Sequence, residues 1–395
     1  MMEGVSTAEA PRMRVNLQLL PFSLAAFLGF LAIGIPLPVL PVYVKGALGF
    51  GPVIIGIVIG TQSVATLLSR QYAGRMCDES GPKRASLLGL CAAAVAGACY
   101  ISSNLVAGGP LVGLMVLIAG RLIMGFGESL FITALAAWSI ARVGHAHAGR
   151  AMAWSGIAMY GAIAIGAPFG SFIEQRFGSA AVFAFTIALP LFGFVLVAFW
   201  TDAAVGHRPR VAFLHVLRLI WAPGLGMALA SSGVGTIAAF LALRYNALGW
   251  TNVGGALAGF GAAYIAMRLV FGGLPDRIGG TVTAMISLFV EALGLLVIWK
   301  AGSPIMAFAG ATLTGLGYSL VFPSLGVEAL RRAPAENRGL VLGAYLACFD
   351  LGLAGAGPVA GIIASRFELP AVFLSAAIAA LIALALTATF RRGPA

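Results

Sequence analysis

Apolar runs of about 20 residues recur along nearly the whole chain, and nothing else in it constrains the fold so tightly. A run of that length crosses the hydrocarbon core of a bilayer as one α-helix. Twelve can be read, at roughly 17–44, 52–73, 84–104, 110–141, 150–174, 179–201, 218–243, 252–274, 281–300, 304–331, 338–365 and 370–390. They predict an all-α integral membrane protein with short connections. Only 9% of the 395 residues are charged and 60% are hydrophobic, whereas a soluble chain would be near a quarter charged.

Basic residues set the expected topology. With the N-terminus placed in the cytoplasm, 18 of the 24 Lys and Arg residues fall in cytoplasmic segments, and 5 (Lys45, Arg176, Arg244, Lys300 and Arg366) fall outside. Arg121 alone lies within a span. Both termini are therefore expected in the cytoplasm. The net charge of +11 is spread over these clusters and gives no reason to expect nucleic acid. The first 16 residues lack a signal-peptide pattern, so the first span should be retained. Cys77, Cys91, Cys99 and Cys348 form no CxxC pair and fall in no external loop, which argues against disulfides and zinc.

The stretch RQYAGRMCDESGPKR after span 2 concentrates charge, and it has a twin. RQYAGRMCDESG from Arg70 matches RLVFGGLPDRIG from Arg268 at an offset of 198, pairing Gly74 with Gly272, Asp78 with Asp276 and Gly81 with Gly279. At an offset of 190, Gly120, Gly125, Gly127 and Ser129 match Gly310, Gly315, Gly317 and Ser319. ALGF at 47–50 echoes ALGW at 247–250. Two six-helix halves in parallel order are the signature of transporter bundles related by an axis along the membrane normal. The halves are expected at 1–201 and 218–395, with 202–217 as a cytoplasmic linker.

These motifs resemble the major facilitator superfamily over nearly the whole chain. GRMCDESGPKR resembles the signature of the loop between helices 2 and 3, and GRLIMGFGES the motif of the fourth helix. GAIAIGAPFG resembles the fifth-helix motif of drug:proton antiporters, with Ala167-Pro168 in place of Gly-Pro. The chain is also similar to bacterial efflux permeases that carry the loose label of arabinose-efflux transporters.

The resemblance implies a cytoplasmic latch. Gly74 should let span 2 approach a neighbour closely. Asp78 should face the N-terminus of span 11, whose free N–H groups favour an anion. Arg75 and Lys83 should complete that contact or bind lipid phosphates. Gly81-Pro82 should turn the chain. Gly272, Asp276 and Gly279 should repeat the arrangement toward span 5. The resemblance also implies a cavity lined chiefly by spans 1, 4, 7 and 10, with Phe30, Tyr43, Phe126, Phe131, Phe240, Tyr245, Tyr318 and Phe322 as candidate substrate contacts. Gly161, Gly166, Pro168, Gly170, Gly357, Pro358 and Gly361 should permit close helix crossings between the halves. Pro36, Pro38 and Pro41 should bend span 1.

Ionisable residues inside apolar runs are candidates for function. Arg121 and Glu128 share a face of span 4 about 10 Å apart, too far to pair directly. Asp350 in span 11 is a candidate proton carrier, with constitutive pairing as the alternative. Glu291 in span 9 is expected to serve structure or lipid contact, and Glu328 to lie near the interface. Span 1 holds no acid, so Glu128, Asp350 and Arg121 are the proton-coupling candidates.

No catalytic constellation is present, the four histidines fall in predicted loops, and no GxxxxGK[ST] loop supplies ATP drive. No cofactor is expected. The expected activity is proton-coupled export of a small organic or amphipathic compound by a monomer in the bacterial inner membrane. Uptake of a sugar or metabolite by symport, or a lipid flippase, are the alternatives.

Overall fold

A computed structural model describes residues 9–105, 109–144, 147–202, 217–332 and 338–392. Most of the expected linker, and His145, His207 and His215, lie outside the described residues. Every regular element among those described is a helix. In a bilayer this follows from the backbone: with no water to bond N–H and C=O groups, each segment must satisfy its own.

Among the described residues, eleven helices are long and apolar enough to cross a membrane. One, Ala148–Ala198, has 51 residues, which would extend about 75 Å against a hydrocarbon core of about 30 Å. Gly178 breaks it with φ 77° and ψ 175°, a conformation that side chains with a Cβ avoid. It therefore makes two crossings, spans 5 and 6, and the crossings number twelve. Span 2 is Pro52–Ser80, span 3 Pro82–Leu105, span 4 Pro110–Val143 and span 7 Trp221–Ala247. Span 8 is Val253–Phe271, span 9 Gly280–Lys300, span 10 Pro304–Arg331, span 11 Arg338–Arg366 and span 12 Ala371–Ala388. The start of span 1 and the end of span 12 lie on one face of the bundle, the terminal face, because the number of crossings is even.

Span 1 departs from a continuous helix. It runs Glu9–Gly34, turns through residues 35–39, and resumes as Leu40–Gly46. Pro36 and Pro38 donate no N–H, so the ladder is carried around them by Ile35 N–H to the Leu31 carbonyl and Leu40 N–H to the Pro36 carbonyl, both 2.9 Å. Span 8 stops at Phe271, short of the expected 274, and a separate turn of helix, Leu274–Ile278, follows. Prolines open spans 2, 4 and 10, where the missing N–H costs nothing.

The sequence repeat returns as a repeat of backbone contacts. A Cβ on Gly125 would strike the Gln62 carbonyl; one on Gly315 would strike the Phe260 carbonyl, 198 residues on from Gln62. Gly127 packs on the Gly89 carbonyl and Ala93 nitrogen, and Gly317 on the Ser287 carbonyl and Glu291 nitrogen. Between the halves, Gly56 of span 2 meets Gly357 and Pro358 of span 11, as Gly254 of span 8 meets Ala167 and Pro168 of span 5. Each match keeps the offsets of 198 and 190.

Of the glycines expected at crossings between the halves, Gly357 and Gly361 are there, Gly361 against the Pro52 carbonyl. Gly166 and Gly170 instead seat span 5 against Gly34 and Ile35 of span 1, inside one half. Gly161 stands in ordinary contact, 3.7 Å from Phe27 and Ile265 for an added Cβ.

An alanine at a backbone crossing has nowhere to go. Gly315→Ala should therefore destabilise the protein by about 1–3 kcal/mol, the usual cost of overpacking. Gly355→Ala, whose added methyl meets nothing within 4 Å, should be neutral. Thermal unfolding of both variants in the same detergent checks this, and equal midpoints would remove the crossing at Gly315 as a constraint.

Candidate functional site

A central cavity of about 120 Å³ lies between the halves. Its walls are mostly apolar, and the polar groups on it are few: Gln62 and Ser63 of span 2, Arg121 and Glu128 of span 4, and Tyr160 of span 5. Phe30, Phe260 and Phe349 supply aromatic surface. Spans 2, 5, 8 and 11 line the cavity alongside the expected 1, 4 and 7, while span 10, also expected there, supplies none of the described lining residues.

Gln62, Thr66 and Arg70 stand four residues apart and share one stripe of span 2. Glu128 is held by that stripe. Its Oε2 accepts from Gln62 Nε2 at 2.7 Å and from Thr66 Oγ1 at 3.3 Å. No cation bonds Glu128 among the described residues. The side-chain Oε1 of Gln62 is buried without a donor, so the cavity wall presents unused acceptor capacity beside a carboxyl group.

Arg121 faces the cavity but spends its donors on span 2. Nε donates to the Val58 carbonyl at 3.1 Å, Nη2 to the Ile59 carbonyl at 3.0 Å, and Nη1 lies 3.5 Å from the Tyr100 hydroxyl. An arginine here is 4% exposed and cannot shed its charge. The Val58 and Ile59 carbonyls of span 2 supply the acceptors. Arg121 and Glu128 thus share the cavity wall without pairing.

Asp350 is not the unpartnered acid that its apolar surroundings suggest. Arg70 grips both of its oxygens: Nε bonds Oδ2, and Nη2 donates to Oδ1 at 2.9 Å. This two-pronged pair ties span 2 to span 11 across the two halves. Sequence reasoning missed it because it counted Arg70 with the loop charges. The spacing Gln62, Thr66, Arg70 was the available signal, since it puts the guanidinium on the same stripe as the cavity residues.

Of the eight aromatic candidates, Phe30 alone faces the cavity, edge-on to Phe131 behind it at 5.4 Å between ring centres. Phe131 and Phe240 are wholly enclosed in the core. Tyr43 caps the opposite face by bonding Ser103 Oγ at 3.2 Å, and Tyr245 does so by donating to the Pro304 carbonyl at 2.9 Å. Phe126 packs on Tyr72, and Phe322 on Tyr345 and Phe349. Tyr318 is buried beside Tyr160 and Tyr264. These rings fill helix contacts, which periodicity within one span cannot distinguish from a cavity.

The latch residues are not joined across the halves. Gly74 faces open space, and Gly272 meets only its own helix at the Arg268 carbonyl. Among the described residues no hydrogen bond or ion pair reaches Arg75, Asp78 or Asp276. Lys83 does not reach span 11. Its Nζ donates to the Trp200 carbonyl at 2.7 Å, and its backbone N–H to Asp202 at 3.3 Å. The loop is thus moored to the end of span 6 in its own half. Gly81 and Gly279 adopt φ 87° and 90° and make the two matched turns.

Helices that cross a bilayer, packed in two matched sets about a cavity with a few polar groups at its middle, define a membrane transporter and not an enzyme. The family comparison agrees: the Major Facilitator Superfamily model matches residues 22–253 and 221–395. The chain belongs to that superfamily. It is 44% identical over 384 residues to an uncharacterized MFS-type transporter of Pseudomonas aeruginosa (strain UCBPP-PA14), covering 97% of this chain and 96% of the relative. A similar transporter of Burkholderia pseudomallei (strain 1106a) is 41% identical over 98% of this chain and 95% of its own length. Among solved structures, the nucleoside transporter NupG superposes with a TM-score of 0.77 at 15% identity, covering 94% of this chain and 100% of that one. The human organic anion transporter MFSD10 (TETRAN) superposes at 0.71 and 17%, covering 94% and 99%. At these identities the structures bear on fold alone.

Removing one partner of a buried ion pair strands the other. Arg70→Ala or Asp350→Asn alone should lower stability by about 3–5 kcal/mol. The exchanged pair Arg70→Asp with Asp350→Arg should recover much of the loss. Thermal unfolding of both singles and the double checks the coupling; additive losses would show that the two residues act independently.

Proposed function

We propose that this transporter exports a small amphipathic organic compound in exchange for protons, by alternating access of the central cavity. The observation that carries this reading is Glu128: a carboxyl group on the cavity wall, held by two neutral donors and bonded to no cation. Such a group can bind either a proton or a substrate donor, and competition for one site is the simplest source of exchange. Tyr160, Phe260 and Phe349 on the same cavity's lining offer apolar faces. The substrate class that suits both walls has a flat or apolar body and a hydrogen-bond-donating or cationic end.

We place the two six-span bundles at 1–201 and 218–395, joined by 202–217, with the terminal face in the cytoplasm of a bacterial cell and the protein a monomer in the inner membrane. Backbone-to-backbone crossings at Gly56, Gly254 and Gly361 lie toward the opposite face. Toward the terminal face the halves meet through long side chains, Arg70 on Asp350 and Arg268 beside Gly156. This supports an inward-facing reading, in which the latch of Asp78 and its neighbours is unmade. In the outward-facing state Asp78 approaches the N-terminus of span 11, and Asp350 is freed or re-paired as the halves rock.

Two experiments follow. Glu128→Gln should still bind and exchange substrate in liposomes, yet lose accumulation driven by a pH gradient, because an amide releases no proton. Full gradient-driven accumulation in that variant would move coupling elsewhere. For the latch, a helix N-terminus favours an anion by roughly 0.3–2 kcal/mol, so Asp78→Asn should raise the inward-open population up to about tenfold. Labelling of single cysteines in the cavity from the terminal face measures it, and an unchanged rate would leave Asp78 no role beyond the turn.

A further inference from the structure

Glu291 takes no part in the scheme above, and its setting needs an explanation. It sits in the middle of span 9 with no exposed surface. Neither carboxyl oxygen has a hydrogen-bond partner. Of the two roles expected for it, structure or lipid contact, the second does not fit, because the side chain is sealed inside the second half. Gly233 of span 7 makes its space, since a Cβ there would stand 2.9 Å from Oε1. Gly317 of span 10 packs on its backbone.

Packing does not require an acid here. In the first half the same crossing sets Ala93 against Gly127, with the Gly89 carbonyl in place of that of Ser287. An alanine thus builds the equivalent contact. A buried carboxyl with both oxygens unbonded is costly, so the repeat isolates Glu291 as an addition that the fold does not need.

A cluster of tyrosines lies near enough to feel its charge. Tyr318 follows Gly317, is 1% exposed, and its hydroxyl has no partner. Its ring centre lies 6.3 Å from that of Tyr160 and 6.2 Å from that of Tyr264, and those two rings stack at 3.6 Å. Tyr160 reaches the cavity wall. Ionisable groups on the elements around Glu291 are few. Span 10 brings Tyr318 and, at its terminal end, Glu328, which accepts from Thr281 and pairs with Arg331. Span 8 brings Tyr264 and Arg268, the latter donating to the Ser319 carbonyl. Span 7 has Arg244 and Tyr245 at its far end, and the guanidinium there is bonded to the Trp299 and Ala301 carbonyls. Span 12 has none.

We infer that Glu291 is a second proton-binding site, exchanging its proton with the central cavity through the hydroxyls of Tyr318 and Tyr160. In release, the Glu291 side chain turns to bring its carboxyl within hydrogen-bond reach of the Tyr318 hydroxyl, to which it is not bonded in this structure, and the carboxyl O–H bond breaks as its proton passes to the Tyr318 oxygen. The Tyr318 hydroxyl proton passes to Tyr160, and the Tyr160 proton passes to cavity water. The tyrosines end neutral, and one proton has left the carboxylate. The use of this site in transport rests on the proton-coupled reading; its titration does not.

Infrared spectroscopy of the full-length protein in lipid membranes reads the site directly. A carbonyl-stretch band of a protonated carboxyl should vanish in Glu291→Gln and shift in Glu291→Asp, which serves if the glutamine variant fails to fold. In the unaltered protein its intensity should fall as buffer pH is raised. Tyr318→Phe should keep the band but slow its hydrogen–deuterium exchange by about tenfold, the mark of one lost relay step. A band constant at every pH, one displaced by sodium ions at fixed pH, or an exchange rate indifferent to Tyr318→Phe would overturn the proposal. If the unaltered protein shows no pH-driven transport while the band titrates as described, coupling fails and the site stands. A silent band with coupling intact removes this site alone.

Discussion

Backbone meets backbone where span 2 crosses span 11 and where span 8 crosses span 5, and the rest of the molecule is arranged around those contacts. Between apolar helices in lipid there is no hydrophobic drive to associate, so close packing and internal polar bonds must hold them. Gly56 against Gly357 and Gly254 against Pro168 give that packing. They bring the two halves into contact near one face and leave the middle to form a cavity. A side chain at any of these points would wedge the halves apart.

The cavity takes its chemistry from where the two halves differ. Positions that correspond through the repeat carry Gln62 and Phe260, Thr66 and Tyr264, Glu128 and Tyr318. At these positions the first half carries a carboxyl with its donors, and the second carries rings. The paired arginines diverge as well. Arg70 reaches across to Asp350, while Arg268 lies over the Tyr264 ring at 5.3 Å and bonds a carbonyl of its own half. A symmetric scaffold thus carries an asymmetric site, with a buried ion pair between the halves, Arg70 with Asp350, on the side where the backbones stand apart.

Much of the scaffold was legible because the bilayer imposes a length on every apolar run. All twelve crossings were placed, and Pro36 and Pro38 correctly marked the break in span 1. Gly178 turns the chain between spans 5 and 6, where the loop was expected. The site was less legible, for a physical reason. Charge inside a span is conspicuous, so Arg121, Glu128 and Asp350 stood out. Their partners are uncharged or lie far along the chain: Gln62 and Thr66, the Val58 and Ile59 carbonyls, and Arg70. A single span's periodicity says which residues share a face but not which helix that face meets. Phe131 and Tyr245 were therefore expected at a cavity and proved to be packing, while Tyr160 and Phe260 were overlooked.

The central claim is that the halves rock about the cavity, closing one face as the other opens. Spin labels at the exposed positions Lys45 and Lys300, on the face opposite the termini, and at Arg84 and Arg277, on the terminal face, report it by electron–electron distance measurement. Under conditions that drive turnover, the Lys45–Lys300 distance should lengthen in the same population in which the Arg84–Arg277 distance shortens. Distances that change together, or one fixed distance at both faces, would contradict alternating access.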